Sequence, residues 1–356
     1  MKTIKILFLL IFIPAALFAQ RATLKGKIVD AVSNEPLPFV NVIVSGTNTG
    51  TSTDLNGNFT LTGLTPGFIR IEASFVGYKQ AISPEIEVTV ANANSIEIKM
   101  EEQKEQIEEV VVKASPFRKT EESPVSLRTI GIGEIEKSPG ANRDISKVIQ
   151  SFPGVQSTPA FRNDIIIRGG GPSESRFYLD GVEVPFINHF ATQGASGGPV
   201  GIINADFIRE VNYYSGAFPA NRGNALSGVL EFNQVDGNPD KTNLQFTLGA
   251  SEIAATADGP IGEKTTYVIS ARRSYLSFLF GILELPFLPT FNDLQFKVRT
   301  RIDAKNEITF IGLGAIDKNE LNLEIEEPDE SQQYILSQLP ENKQWSYSVG
   351  GVYKHF

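Results

Sequence analysis

Ile165-Ile166-Ile167-Arg168-Gly169-Gly170-Gly171-Pro172-Ser173-Glu174-Ser175-Arg176-Phe177-Tyr178-Leu179-Asp180-Gly181-Val182-Glu183-Val184-Pro185 lies near the middle of the chain and carries its most distinctive local pattern. Ile165–Ile167 is a short apolar strand, Gly169–Ser173 a turn too rich in glycine to be regular, and Phe177–Leu179 a second strand. Asp180-Gly181 is a tight reversal into a third strand, and Arg168 and Arg176 stand at the two edges of the first turn. Gly169-Gly170-Gly171 could cradle a phosphate, but the Gly-Lys-Ser/Thr that should follow is missing and no helix begins there. What remains is a compact β-unit.

Upstream of it, Ile145, Val148, Ile149 and Phe152 fall at i, i+3, i+4 and i+7, the spacing of a helix with one apolar face. Asn142 is a suitable N-cap, Asp144 suits the positive end of the macrodipole, and Pro153-Gly154 ends the run. Downstream, Gly194–Gly201 is glycine-rich, and Asn204–Glu210 leads as a helical turn into a strand at Val211–Tyr214.

From Val229 the pattern changes to long alternation. Leu294, Phe296, Val298, Thr300 and Ile302 face one way, and Gln295, Lys297, Arg299 and Arg301 the other. A transmembrane barrel strand needs this, with lipid on one side and an aqueous lumen on the other. Leu244–Ala250, Thr266–Tyr275, Glu307–Leu313 and Trp345–Tyr353 are similar but less clean, and a soluble sheet with one wet face fits them equally well. Tyr267, Tyr275, Phe278, Phe280, Trp345 and Tyr347 could supply interfacial aromatic girdles, and Asp317–Gln344 reads as a long surface loop.

The N-terminal part is different again. Met1–Ala19 has Lys2 and Lys5, an apolar core at Ile6–Ile13 and a small-residue exit, the layout of a secretory signal peptide. Its apolar run is too short to span ~30 Å of hydrocarbon, so membrane residence has to come from a β-barrel. Leu24–Met100 is a series of short strands at Leu24–Asp30, Val40–Ser45, Thr49–Asp54, Asn58–Thr62, Phe68–Ser74, Ile86–Val90 and Ile96–Met100. Such regular spacing predicts a small antiparallel sandwich, with Asn56-Gly57 as a hairpin turn. Asp54-Leu55-Asn56-Gly57 begins like a calcium loop, but the later acidic positions and the terminal Glu are missing. Glu101–Ile107 is a charged linker, and Glu109-Val110-Val111-Val112 follows it. Those valines either finish the sandwich as an edge strand or stay extended and add to the sheet edge of a partner.

The chain has no cysteine, which excludes disulfides, thiolate metal sites, cysteine nucleophiles and a lipid-bearing cysteine. His189 and His355 are too few and too far apart for a zinc site, so neither a metal nor another cofactor is expected. A net charge of −9 disfavours nucleic acid as a partner. No nucleophile–base pair stands out, so no catalytic residue is assigned and an enzyme is not expected.

Several of these stretches resemble known families. Gly26–Asp30, Pro38–Val42, Thr53–Phe59 and Val76-Gly77-Tyr78 together resemble the carboxypeptidase-regulatory-like, transthyretin-like domain, which is not a peptidase. Ile-Arg-Gly, the Gly/Pro/Ser turn and Leu-Asp-Gly-Val-Glu-Val-Pro resemble the core of the plug domain of TonB-dependent outer-membrane receptors. Ser215–Gly223 and Leu226–Leu230 resemble that domain's ending, with Asn221-Arg222-Gly223 in place of an aromatic-Gly pair. Glu109–Val112 resembles the Ton box.

The resemblance implies a mainly β chain: signal peptide 1–19, β-sandwich 20–100, linker with Ton box 101–115, α+β plug 116–227, and from 228 to 356 the first strands of an incomplete transmembrane β-barrel. Arg168, Gly169, Gly170, Arg176, Asp180 and Gly181 would form the plug core, with the two arginines holding the plug in its barrel. The implied partners are a TonB-type energy-coupling protein, outer-membrane lipid and a small substrate. The implied location is the outer membrane, with the N-terminal domain in the periplasm. About six strands cannot enclose a plug of this size, which needs the lumen of a roughly 22-stranded barrel, so the sequence reads as the N-terminal part of a longer receptor. Phe177-Tyr178-Leu179-Asp180-Gly181 differs from the Tyr-Val-Ile-Asp-Gly form of the glycan importers, and siderophore, metal-complex, peptide and glycan uptake all stay open. The rival reading is a secreted β-rich binding or adhesion protein.

Overall fold

A computed structural model describes residues 21–90, 94–103, 127–141, 143–158, 162–192 and 197–356. The chain divides into two units, Met1–Gln106 and Ile107–Phe356. The signal peptide and Glu109–Val112 lie outside the described residues.

The first unit contains β1 (Ala22–Asp30), β2 (Asn41–Val44), β3 (Gly50–Ser52), β4 (Asn58–Leu64), β5 (Gly67–Ile69), β6 (Ile71–Ser74), β7 (Ala81–Ile82), β8 (Ile86–Val88) and β9 (Asn94–Met100). One sheet has the order β4-β1-β9 and the other β3-β2-β6-β7, with β5 and β8 as a separate pair. Leu24, Ile28, Val42, Leu61, Ile71 and Met100 fill the core between them. The pairing is antiparallel except for β1 with β9, which is parallel. The expected strand Phe68–Ser74 is broken at Arg70, because β5 pairs with β8 and β6 with β2.

Asn56-Gly57 makes a tight turn without closing a hairpin, since β3 and β4 belong to different sheets and the turn carries the chain between them. Asp54 organises it by accepting the amides of Asn56 at 2.9 Å and Asn58 at 2.8 Å. The bond from Asn58, ahead of the others, holds the Asp54 carboxyl below its ordinary range. Gly57 sits at φ +76° with its carbonyl accepting from the Ile28 amide at 2.8 Å. The Asp54 carboxylate thus serves the turn itself.

The second unit begins with β10 (Leu127–Gly131), α1 (Ile132–Lys137), α2 (Ile145–Gln150), β11 (Val155–Gln156), β12 (Ile166–Ile167), β13 (Arg176–Leu179), β14 (Val182–Val184), β15 (Ile208–Tyr214) and β16 (Val229–Gln234). Its main sheet has the order β10-β15-β16-β13-β14. Ile145, Val148, Ile149 and Phe152 are all buried, as the helical spacing predicts. The cap of α2 is Asp144, whose side chain accepts from the Ser146 amide at 2.9 Å, whereas Asn142, the cap expected from sequence, lies outside the described residues.

A six-stranded antiparallel meander follows: β17 (Asn243–Leu248), β18 (Glu252–Ile261), β19 (Thr265–Ser274), β20 (Phe287–Arg301), β21 (Asn306–Leu321) and β22 (Asn342–His355), with α3 (Leu276–Ile282) before β20 and α4 (Glu330–Gln338) before β22. In β20 the alternation predicted from sequence holds. Asp293, Gln295 and Lys297 are buried toward the preceding domain while Leu294 faces out. Ile311, Leu313 and Ala315 of β21 join that domain's own hydrophobic core. The opposite face is bare and apolar: Leu244, Phe246 and Leu248 of β17 are 70%, 80% and 79% exposed.

One expectation is corrected here. Asp317–Gln344 is not one surface loop: β21 runs on to Leu321, and α4 forms because Asp329 and Gln332 cap its start reciprocally. The C-terminal stretch is a full strand, with Trp345, Tyr347, Val349 and Tyr353 facing out. On its inward face Gly350 has no room for a side chain. A Cβ on Gly350 would fall 2.5 Å from Val182 Cγ1 of β14.

Candidate functional site: the junction between the inner domain and the strand wall

Ile166–Ile167 pairs with Val155–Gln156, and Arg176–Leu179 lies in the main sheet between β14 and β16. The opening stretch therefore spans two sheets. Arg168 takes φ +52°, donates its amide to the Gly154 carbonyl at 2.8 Å and reaches Ser215 Oγ with its guanidinium at 3.3 Å. Gly169 is at φ +79°, a conformation glycine adopts without strain. Gly170 has no room for a side chain, since a Cβ would fall 2.5 Å from Ser227 Oγ. The Gly170 amide is bonded to the Ile167 carbonyl at 2.9 Å, so the glycines serve a close crossing of chains rather than a phosphate nest.

Arg176 pairs with Glu183 at 3.5 Å and donates to the Ser173 carbonyl at 3.4 Å. Both arginines find these partners inside the inner domain, and among the described residues Asp180 and Asp236 are charges that reach the six wall strands. Asp180 and Gly181 have φ +46° and +92°, the pair of left-handed residues that closes a two-residue hairpin between Leu179 and Val182. At that tip Asp180 accepts the Gln234 amide at 3.0 Å and pairs with Lys297 of β20 at 3.0 Å.

Lys297 is almost fully buried. Its ammonium also meets Asp236 at 2.8 Å and the Gln234 carbonyl at 3.2 Å. Asp236, on the segment joining β16 to β17, pairs in turn with Arg299 at 2.7 Å, and Arg299 with Glu307 at 2.5 Å. Burial would raise the Asp236 carboxyl, but Lys297 and then Arg299 beside it prevail and hold it far below the ordinary range. Each buried charge has a partner of opposite sign, the condition under which such a network persists in a protein interior.

A second cluster joins the two parts further along the same strands. His189 is completely buried, with Nδ1 2.8 Å from Asp317 Oδ1 of β21 and Nε2 3.1 Å from Asp293 Oδ2 of β20, and its ring stacks on Phe291 at 4.1 Å. Arg272 of β19 donates Nε to both oxygens of Asp293 at 3.0 Å and Nη2 to the carbonyls of Gly201 at 3.0 Å and Ile202 at 2.6 Å. Gln295 adds a bond to the Ile202 carbonyl at 2.7 Å. Among the described residues no group of three or more His, Cys, Asp or Glu could hold a metal ion. From sequence alone His189 is weighed only as a metal ligand, Asp236 has no assigned role, and Lys297 and Arg299 are members of a polar face. The available signal was that run of charge at every second position, which asks for inner partners.

Residues 24–112 match the family described as CarboxypepD_reg-like domain, and residues 119–229 match the TonB-dependent Receptor Plug Domain. The chain is 33% identical over 173 residues to TonB-dependent receptor SusC of Bacteroides thetaiotaomicron, which covers 48% of this chain and 16% of the relative. It is 28% identical over 214 residues to TonB-dependent receptor P39 of Formosa agariphila, covering 57% of this chain and 19% of the relative. It therefore spans less than a fifth of the length of these curated relatives. Among solved structures it is similar to the ferric enterobactin receptor PfeA of Pseudomonas aeruginosa (18% identity, TM-score 0.44, 65% of this chain and 39% of that one). It is also similar to the siderophore receptor PirA of Acinetobacter baumannii (15% identity, TM-score 0.44, 65% of this chain and 38% of that one). The two matches give the chain a carboxypeptidase-regulatory-like domain followed by a TonB-dependent receptor plug domain, and both of these relatives are TonB-dependent receptors.

Proposed function

We propose that this chain supplies the periplasmic sandwich, the energy-coupling segment, the plug and the first wall strands of an outer-membrane receptor that takes up a small nutrient. One observation carries the reading: the plug packs against the inner face of a meander whose outer face is bare apolar side chains, among them Leu244, Phe246, Leu248, Trp345 and Tyr347. Lipid is the natural solvent for such a face, and antiparallel strands are the way to cross it without a hydrophobic helix. One end of the meander has only the short turns 262–264 and 302–305, whereas the other carries the longer connections 275–286 and 322–341 beside the short turn 249–251. In barrels of this kind the short turns face the periplasm, which would put Asp180 and Asp236 on that side.

In this reading Glu109, Val110, Val111 and Val112 bind a TonB-type energy-coupling protein by adding a strand to its sheet edge. The domain limits 20–100, 101–115, 116–227 and 228–356 are part of the same proposal. The substrate is a siderophore, metal complex, peptide or glycan. Fractionation of the full-length gene product tests localisation: a heat-modifiable band in the outer membrane is expected, and recovery as a soluble protein would sink the reading. Val111→Pro removes a main-chain donor from the coupling strand, so binding to the coupling protein and uptake should both be lost.

A further inference from the structure

We propose that His189 is a proton-operated latch: doubly protonated, it pins the plug segment Asn188–Phe190 to the wall at Asp293 and Asp317, and loss of one proton frees that segment.

A buried histidine that only fills space faces one donor and one acceptor, because its neutral ring offers one of each. His189 instead faces two carboxylates, Asp317 at Nδ1 and Asp293 at Nε2. Two hydrogen bonds to two ionised carboxylates need a proton on each ring nitrogen. The surrounding groups agree with a cation at this place. Asp293 is shared with Arg272 of β19 and takes a bond from Gln295 at 3.2 Å. Asp317 accepts the Phe190 amide at 2.7 Å and Gln344 Nε2 of β22 at 3.0 Å. Phe291 covers one face of the ring. With His189 charged, two anions meet two cations and the cluster is neutral. Without the second proton, one ring nitrogen turns a lone pair toward a carboxylate oxygen and the buried cluster carries one uncompensated negative charge, which a low-dielectric interior penalises.

The latch is well placed to move a piece of the plug. The His189 amide donates to the Val200 carbonyl at 2.8 Å, and Ile202 donates to Ile187 at 2.8 Å. The carbonyls of Gly201 and Ile202 are held by Arg272, which shares Asp293 with His189. Loss of charge on one ring therefore unbalances both lines of attachment. The inference depends on the packing of plug against wall and not on transport, so its test stands whether or not uptake is shown.

This chain is free of cysteine, so a spin label is placed at Thr192→Cys, an exposed position three residues past His189, with any cysteine elsewhere in the full-length protein replaced by serine. The full-length protein in detergent micelles is titrated from pH 5.5 to 9.5. An immobilised spectrum is expected at the acid end, giving way to a mobile one with single-proton steepness, about a tenfold change in the ratio of the two components per pH unit. His189→Gln should leave the label mobile throughout. Asp317→Asn should keep it immobile throughout, because an amide can donate to a neutral ring and still accept the Phe190 amide. A label whose mobility ignores pH in the otherwise unchanged chain overturns the proposal, as does a transition that persists in His189→Gln. Where His189→Gln fails to fold, the titration of the labelled parent and of Asp317→Asn decides.

Discussion

Asp180, at the tip of the plug hairpin, and Lys297, on the inner face of β20, form a 3.0 Å ion pair with the lysine side chain only 7% exposed. The same ammonium holds Asp236, so one cation serves two anions and ties both the hairpin and the segment leaving the plug to one wall strand. Lys297→Met keeps the volume and removes the charge, leaving two carboxylates facing an apolar thioether. Breaking a buried pair in this way costs roughly 3–5 kcal/mol. Docking of the plug should weaken by that order, measured as a lower urea midpoint for plug protection against protease in detergent. Lys297→Met with Asp180→Asn and Asp236→Asn should recover part of the loss. Full stability in Lys297→Met alone would show that the network contributes little.

The Asp236 carboxyl also sets a pH dependence. Its folded-state value is depressed, so its contribution is present above the ordinary aspartate value near ~4 and is lost as pH falls from there toward the folded value. Protection of the plug should hold from neutral pH to about 4 and decline below it, and Asp236→Asn should flatten that acid limb. The check is protease resistance of the plug across an acid series in both proteins.

The parts of the fold legible in the sequence were those fixed by local chemistry. Asp180-Gly181 read as a reversal because two consecutive left-handed residues ask for such a pair, and Leu294–Ile302 read as a wall strand because period two repeats over the whole segment. What was lost depended on partners far along the chain. Ile165–Ile167 read as a strand, but its partner Val155–Gln156, in a sheet apart from Arg176–Leu179, did not show, and the alternation in β22 read as less clean because Gly350 had to make room for Val182. His189 meant little alone, since Asp293 and Asp317 lie 104 and 128 residues away. Arg168 and Arg176 drew attention through their glycine-rich setting, whereas Asp180 and Asp236, which pair with Lys297 of the wall, did not stand out as charges that cross to it.

In the sandwich unit the crossing turn at Gly57 is the position least able to change. Its φ of +76° is strained for any residue with a Cβ, and that Cβ would fall 2.5 Å from the Ile28 carbonyl oxygen, a backbone atom that cannot step aside. Gly57→Ala should cost the unit at least the roughly 1–2 kcal/mol of a left-handed residue. Gly46→Ala is the comparison: its φ of +73° carries the same backbone strain, but nothing lies within 4 Å. Thermal unfolding of the sandwich should rank Gly57→Ala clearly below Gly46→Ala, and equal midpoints would mean that the contact with Ile28 carries no weight.

Gly350 gives the sharpest test of how the plug seats against the wall. A Cβ there would lie 2.5 and 2.6 Å from the two γ-methyls of Val182 and 3.1 Å from its Cβ. Valine is stiff at χ1, so the clash cannot be relieved by swinging a chain end away, and the hairpin or the strand has to shift. Overpacking of this kind costs about 1–3 kcal/mol. Gly350→Ala should therefore loosen the β14 hairpin, seen as faster amide exchange at Val182–Val184, while Val182→Ala in the same chain should restore protection by returning the missing space. Gly314→Ala on β21 is the control, since its nearest neighbour is the Ser346 carbonyl at an ordinary 3.6 Å. If Gly350→Ala and Gly314→Ala exchange alike, the absence of a side chain at Gly350 has another cause than the plug hairpin.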